Sequence, residues 1–436
     1  MRARPGASMT RIGILAGGGR LPLMIAESVT ARGGTVHIVG IEGEADPGVA
    51  RFPHTWVNWG QIGRMVATLR SEGARQLVIA GAVTRPDLRR IRPDAGFFRS
   101  LPQILRLLAG GDDSVLTRVV RFFEGNGLVV LGVHDVAPDL VAGAGRQGSI
   151  GLTEADCADA EVGFAVRHAL APVDAGQAVV VAHGKVLAIE GAEGTDAMLQ
   201  RVAALPSRAP AGSRAGVLAK GPKPGQELRV DMPAIGPRTI EQAAAAALAG
   251  VVVEAGAVLV LDRAQVIRIA DARNCAIHGL ADWTLRPAAQ VGAAARERTG
   301  RVIGRLRPSR RDAGDIETGL AAVESLAPFA TGAGAVVVRR YIRAIEAAEG
   351  PAAMLERAAV LRRQWGLRWH KVGVFVRRVA DAEEDGSVPA ALFAQAASQE
   401  LAGIAVTGPA HALGPYEDAG RLADDLGLFL VLCEAT

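Results

Sequence analysis

Asp159 to Leu205 aligns onto Asp315 to Leu361 without a gap and at one constant offset, with nearly half the positions identical. A chain that repeats a stretch of this length builds the same supersecondary unit twice, and this limits its fold before any element is assigned. Leu170-Ala171-Pro172 meets Leu326-Ala327-Pro328, Ala188-Ile189-Glu190 meets Ala344-Ile345-Glu346, and Met198-Leu199 meets Met354-Leu355. Leu248-Ala249-Gly250 then matches Leu401-Ala402-Gly403 after a small deletion. The middle of the chain therefore occurs twice.

The second repeat is informative for what it lacks. Thr195-Asp196 becomes Pro351-Ala352, Lys220 falls on Arg377, and Glu254 falls on Thr407. The stretch from Pro222 to Arg238 is replaced by an acidic one around Ala382 to Val388. A repeat that keeps its apolar positions and drops these groups shows that folding does not need them. That singles out Lys220, Lys223, Arg229, Asp231, Thr195, Asp196 and Glu254 as candidate site residues.

Most of these lie on or beside Lys220 to Ile240. Pro222, Pro224, Pro233 and Pro237, with Gly221, Gly225 and Gly236, exclude helix there, so the stretch is read as an ordered loop between a strand and a helix over Glu241–Ala249. Lys220, Lys223, Arg229 and Arg238 face only Glu227 and Asp231 in sequence. Cations on rigid backbone beside one or two carboxylates suit a phosphate ester and a metal ion. Glu193 to Leu199 opens a helix that Thr195 or Asp196 can cap.

The N-terminal third reads as alternating strands and helices. Arg11 to Ala16 is a buried strand, and Gly17-Gly18-Gly19 turns it into a helix starting near Leu21-Pro22. Backbone N–H groups of such a turn can face a nucleotide phosphate. The glycine spacing is not GxGxxG, so a dinucleotide fingerprint is absent and an NAD-dependent oxidoreductase is disfavoured. Asp46 to Gly60 is read as loop. Gln76 to Ala80 is a strand that ends towards Arg85 and Asp87, where open α/β sheets bind ligands. Asp112 and Asp113 open a helix and are candidate outer ligands of a cation.

Composition narrows the class. Of 436 residues 49% are hydrophobic and only 4% aromatic, which fits Val-, Leu- and Ala-built α/β layers better than a sandwich. Three scattered cysteines imply neither a disulfide framework nor a zinc site. No long uninterrupted apolar run is present, so no spanning helix is expected. The net charge of +4 is compatible with phosphate ligands, and the Arg-rich stretch after Leu285 lacks the interleaved aromatics of a nucleic-acid binder. The expected fold is α/β: a Rossmann-like nucleotide-binding domain over 9–148, an α/β domain over 149–280, an Arg-rich linker over 281–311 and a degenerate repeat over 312–436.

Gly13 to Pro22, Gly81 to Asp87, Gly111-Asp112-Asp113, Glu193 to Met198 and Lys220 to Ile240 together resemble the UDP-2,3-diacylglucosamine pyrophosphatase family of the LpxI type. The resemblance covers Met9 to Asp271. It implies a cytoplasmic, Mg²⁺-dependent hydrolase of lipid A biosynthesis, peripheral to the inner membrane and taking a UDP-diacylglucosamine lipid as substrate. It implies that the diphosphate is cut to UMP and 2,3-diacylglucosamine 1-phosphate, and that the important aspartate is Asp231. By the same reading Lys220, Lys223 and Arg229 neutralise phosphate oxygens. Asp231 either binds the metal with Asp112 and Asp113 or orients water. Gly17, Gly18, Gly19, Leu21, Arg85, Asp87, Thr195, Asp196 and Glu254 contact substrate. A non-catalytic nucleotide-sugar binding or regulatory protein is the alternative. Both a homo-oligomer and an internal pseudo-dimer of the two repeats stay open.

Overall fold

The computed structural model describes residues 11–83, 93–96, 112–206, 213–281, 300–364, 371–379, 388–408 and 417–434. The chain is mixed α/β and divides into two compact units. The first comprises the chain through Ala144 together with Gly225–Gly236 and Glu254–Val266. The second comprises Gly145–Pro224, Pro237–Val253 and everything from Ile267 onward.

The first unit is built on β1 (Ile12–Ala16), β2 (Val36–Ile41), β3 (His54–Val57), β4 (Gln76–Ala80) and β5 (Val129–Leu131). Their order is β3-β2-β1-β4-β5 and every pair is parallel. Strand residues alternate between the sheet's faces. Ile14, Ile38 and Val78 therefore join one apolar cluster with the helix Leu21–Ala31. Leu15, Val39 and Leu77 join another with the helix Ile62–Ser71. Burial on both faces explains why β1 and β2 read as nearly continuous apolar runs. The stretch expected as loop, Asp46–Gly60, contains a 3₁₀ turn at Pro47–Arg51 and the edge strand β3. β3 is four residues long and mostly half-buried, so it carries too little apolar pattern to read.

The second unit holds two sheets. One uses β6 (Gly145–Arg146), β7 (Ala178–Ala182), β8 (Lys185–Ile189), β9 (Val217–Lys220), β11 (Gly250–Glu254) and β13 (Ala276–Leu280) in the order β6-β13-β11-β9-β7-β8. β10 (Ala234–Ile235) and β12 (Leu259–Val260), which belong to the first unit, pair in parallel apart from this sheet. The other sheet uses β14 (Arg301–Ile303), β15 (Gly334–Val338), β16 (Tyr341–Ile345), β17 (Val374–Arg378), β18 (Gly403–Gly408) and β19 (Phe429–Glu434) in the order β14-β19-β18-β17-β15-β16. Position for position the two orders are the same. Helices Glu154–Ala169 and Arg310–Ser325 begin at matching capping boxes, Thr153 with Asp156 and Ser309 with Asp312. Gly163 lets its helix lie close to β9, where an added Cβ would meet Ala219 Cβ at 2.6 Å.

The two sheets share one apolar cluster. Leu170, Val173, Val186 and Ile189 from the first repeat pack with Leu326, Val337, Ile342 and Ile345 from the second. The helix expected at Glu241 starts earlier, at Pro237. Proline costs little at that first helical position, because its missing N–H has no partner there anyway. Lys220 itself is the last residue of β9, so the irregular stretch is shorter at both ends than its proline content suggests.

Candidate functional site

Lys220 ends an entirely buried four-residue strand, paired with Ala178 of β7 on one side and Val253 of β11 on the other. It is only 6% exposed. An ammonium so placed needs partners, since an unpaired buried charge is costly. Its Nζ donates to Thr195 Oγ1 at 2.8 Å, and that hydroxyl donates in turn to Glu190 Oε2 at 3.1 Å. Glu190 directly follows β8, and its N–H bonds to Ala178 O at 2.9 Å. Burial pushes the Glu190 carboxyl up, against the charge of Lys220 and the hydrogen bond of Thr195. Burial likewise pushes Lys220 down, against the charges of Glu190 and Asp196.

Thr195 or Asp196 was expected to cap the helix that starts here, and the structure gives each another partner. The helix Gly194–Ala204 starts one residue before Thr195, with Gly194 at φ +82° and no side-chain cap. The hydroxyl is therefore within the first turn and bridges Glu190 and Lys220. Asp196 pairs with Arg238 at 3.0 Å, and Lys223 with Asp174 at 3.1 Å. Arg167 fixes the start of the loop, donating from Nε to Gln177 O and from Nη2 to Pro222 O.

Glu190 and Arg167 were not singled out from sequence. Glu190 recurs as Glu346, so a search for what the second repeat lost passes over it. Arg167 falls on Val323, and the same search could have found it.

In the first unit, Asp231 lies between Val230 and Met232, which pack against the two separate apolar clusters of the parallel sheet. Two anchored neighbours fix the backbone that carries the carboxylate. Asp231 Oδ2 accepts from Gln226 Nε2 at 2.6 Å, and its N–H bonds to Glu227 O. Arg229 pairs with Glu227 through Nη2 at 2.6 Å and with Glu124 through Nη1 at 2.9 Å. The guanidinium hydrogen bonds hold the Glu227 carboxyl below its usual range. Arg229 is thus already neutralised by two carboxylates.

In the glycine turn, Gly17 N–H bonds to Ala80 O and Gly18 N–H to Ala82 O. Two of the three glycine N–H groups are therefore used in joining the ends of β1 and β4. A Cβ at Gly17 would strike Ala82 O at 2.5 Å, whereas Gly19, at φ +84°, has open space. Gly19 borders a cleft of about 630 Å³, lined also by Glu42, Glu44, Asp46 and Trp56. Leu21 opens the following helix and packs against its apolar cluster. Glu254 ends β11. Arg85 and Asp87 lie outside the described residues. Asp112 and Asp113 open the helix Asp112–Gly125, and their side chains are likewise outside the description.

The second repeat arranges the same positions differently. Glu346 N–H bonds to Gly334 O at 2.8 Å, as Glu190 does to Ala178. Pro351 supplies no hydroxyl, and Arg377 Nη1 instead pairs directly with Glu346 Oε2 at 3.0 Å. The longer guanidinium closes the gap that Thr195 bridges in the first repeat.

The family models and a curated relative agree with one another. The model of the LpxI N-terminal domain matches residues 11–140, and that of the LpxI C-terminal domain matches twice, at 143–278 and 299–431. UDP-2,3-diacylglucosamine pyrophosphatase LpxI of Caulobacter vibrioides is 43% identical over 265 residues, which is 60% of this chain and 95% of that protein. A murein peptide ligase structure from Psychrobacter arcticus aligns over 98% of this chain and 91% of its own at 12% identity, with a TM-score of 0.20, too low to carry any argument. With both of its domain models matched in order and the second of them matched twice, this chain belongs to the LpxI family.

Proposed function

We propose that the chain hydrolyses the diphosphate of UDP-2,3-diacylglucosamine to UMP and 2,3-diacylglucosamine 1-phosphate in lipid A biosynthesis. The observation that carries this reading is the 43% identity to a pyrophosphatase of that name along 95% of its length. In the reaction water oxygen joins the sugar-side phosphorus and UMP leaves with the bridging oxygen. The developing charge calls for fixed cations in a desolvated setting, and buried Lys220, held by Thr195 and Glu190, supplies one. The three carboxylates and Trp56 around the Gly19 cleft suit ribose hydroxyls and a planar base better than phosphates. The strand order of the first unit supports reading it as Rossmann-like.

Among the described residues no three His, Cys, Asp or Glu side chains form a metal-binding cluster. Mg²⁺ bound with a phosphorylated substrate needs only one or two protein carboxylates, the rest of its shell being water and phosphate oxygen. The oxygen donor of Asp231, carried on anchored backbone, fits that requirement. Bound there, Mg²⁺ would supply Lewis-acid polarisation of a phosphoryl oxygen. Asp231 would hold the ion or orient the water. The substrate's two acyl chains support peripheral contact with the inner membrane. No helix among the described residues is long and apolar enough to cross one. The second repeat, with Pro351 and the Arg377–Glu346 pair, is read as a non-catalytic degenerate copy.

The test is UMP release from UDP-2,3-diacylglucosamine in mixed micelles, with Mg²⁺ and with EDTA. Wild type should release UMP only with Mg²⁺, and Asp231→Ala should lose about 10²–10³-fold or more. Near wild-type turnover by that variant removes Asp231 from the site. The neutralisation of Arg229 by Glu227 and Glu124 favours a second reading, a nucleotide-sugar binding protein without turnover. Saturable binding of the substrate with no UMP released would establish it.

A further inference from the structure

Glu190 and Thr195 bracket a short segment, Gly191 to Gly194, and the second repeat grips that segment. Ala192 N–H bonds to Arg343 O at 3.1 Å. Glu193, its side chain only 4% exposed, accepts from Arg201 Nη2 at 2.8 Å and from Arg357 Nη1 at 3.0 Å. Arg201 belongs to the same helix as Thr195, whereas Arg357 comes from the helix Gly350–Gln364 of the second repeat. Glu349 completes a neutral ring of two carboxylates and two guanidiniums, pairing with Arg357 and, at 3.2 Å, with Arg201. The contact is reciprocal in backbone as well, since Ala348 N–H bonds to Leu187 O at 3.3 Å.

All four ring residues are identical or matched between the repeats, while the residues they hold in place differ. On one side the ring steadies the segment between Glu190 and Thr195. On the other it steadies the segment between Glu346 and Pro351, where no hydroxyl is presented and Arg377 is already paired.

We infer that Arg357 of the second repeat is a positioning residue for the first repeat's site, fixing Glu193 so that Thr195 meets Lys220 and Glu190. This rests on the reading of Lys220 as part of the hydrolytic site. The second repeat is then not a spare domain but one half of the frame that holds the reacting half in register.

The experiment uses the full chain and three variants: Arg357→Met, Arg357→Lys and Glu349→Gln. Glu349→Gln removes one charge from the same ring but leaves both guanidiniums on Glu193. For each, kcat and KM for UMP release are measured. The rate at which an amine-acylating reagent labels Lys220 is measured separately, by peptide mass spectrometry. Arg357→Met should lower kcat by about tenfold or more with KM changed less than about threefold, because a displacement of the order of 1 Å at a catalytic group suffices for such a loss. It should also label Lys220 several-fold faster. Glu349→Gln should stay near wild type in both readouts, even with a comparable fall in Tm.

Equal losses of kcat in Arg357→Met and Glu349→Gln would make the ring merely structural and overturn the inference. So would wild-type values in Arg357→Met. If Arg357→Met does not fold, Arg357→Lys, which keeps the charge without the fork, should show smaller changes in the same direction, and wild-type values there overturn the inference equally. If wild type releases no UMP, the proposed reaction is wrong. The labelling comparison then decides alone, and unchanged Lys220 labelling counts against Arg357.

Discussion

The Thr195 hydroxyl is what separates the two repeats chemically. With it, a lysine and a glutamate are held apart and bridged. Without it, an arginine and a glutamate close on each other. In the first repeat the Glu190 charge helps keep buried Lys220 protonated. Glu190→Gln removes that help and depresses the folded-state pKa of Lys220 further. A group with a depressed folded pKa contributes stability above its unfolded pKa and loses it as pH falls through the folded one. The variant therefore regains more stability than wild type as pH rises through the Lys220 titration. It should be less stable than wild type by about 1–3 kcal/mol at pH 7, the scale for a buried polar group that loses one partner. The gap should narrow towards pH 10, read from urea midpoints at the two pH values. Lys220 and Thr195 were legible in the sequence because the second repeat replaces them. Glu190 was not, because a retained acid looks the same whether it serves folding or chemistry. The bridging role of Thr195 was also hidden, since it depends on where a helix starts relative to a strand end.

The hairpin of β7 and β8 shows how one local solution recurs with different residues. Asp159 is buried and accepts from His183 N–H at 3.0 Å and Gly184 N–H at 2.6 Å. Both turn residues have positive φ, as the twist of a tight hairpin requires. In the second repeat Asp315 caps Arg339 and Arg340 in the same conformation, at φ 55° and 64°, with no glycine to ease it. A carboxylate that satisfies both N–H groups substitutes for the glycine signal, and burial pushes the Asp315 carboxyl up. Asp159→Ala should therefore destabilise the protein by about 1–3 kcal/mol, the penalty for orphaned buried donors, measured by chemical denaturation. A helix start marked by a capping box, as at Thr153 and Asp156, is readable in the sequence. Pro237 as a helix start and β3 as a strand were not: the prolines before the helix read as loop although one is tolerated at its first position, and β3 is short and mostly half-buried.

At the scale of the molecule, the two sheets of the second unit have one order and one shared apolar cluster. Truncation after Leu280 would leave Leu170, Val173, Val186 and Ile189 without Leu326, Val337, Ile342 and Ile345. Such a fragment should self-associate or precipitate more readily than the full chain, as judged by light scattering and size-exclusion chromatography. An unchanged, well-behaved monomer would show that the shared cluster is dispensable. The family relationship and the repeat were both legible in the residues. The closeness of the repeats was not, because it is set by the Glu193, Arg201, Glu349 and Arg357 ring, whose members look like ordinary surface charges in sequence.

The reciprocal contacts between Ala192 and Arg343 and between Ala348 and Leu187 are of the kind that could join two separate molecules. Here one peptide chain carries both sides. Encounter is then first-order, at a local concentration of the order of millimolar for a short tether. A dissociable pair falls apart when it is scarce, and its output drops more steeply than its abundance. A tethered pair escapes that penalty, so turnover per molecule should stay constant as the protein is diluted from micromolar to picomolar. Even a handful of molecules per cell would work at full rate.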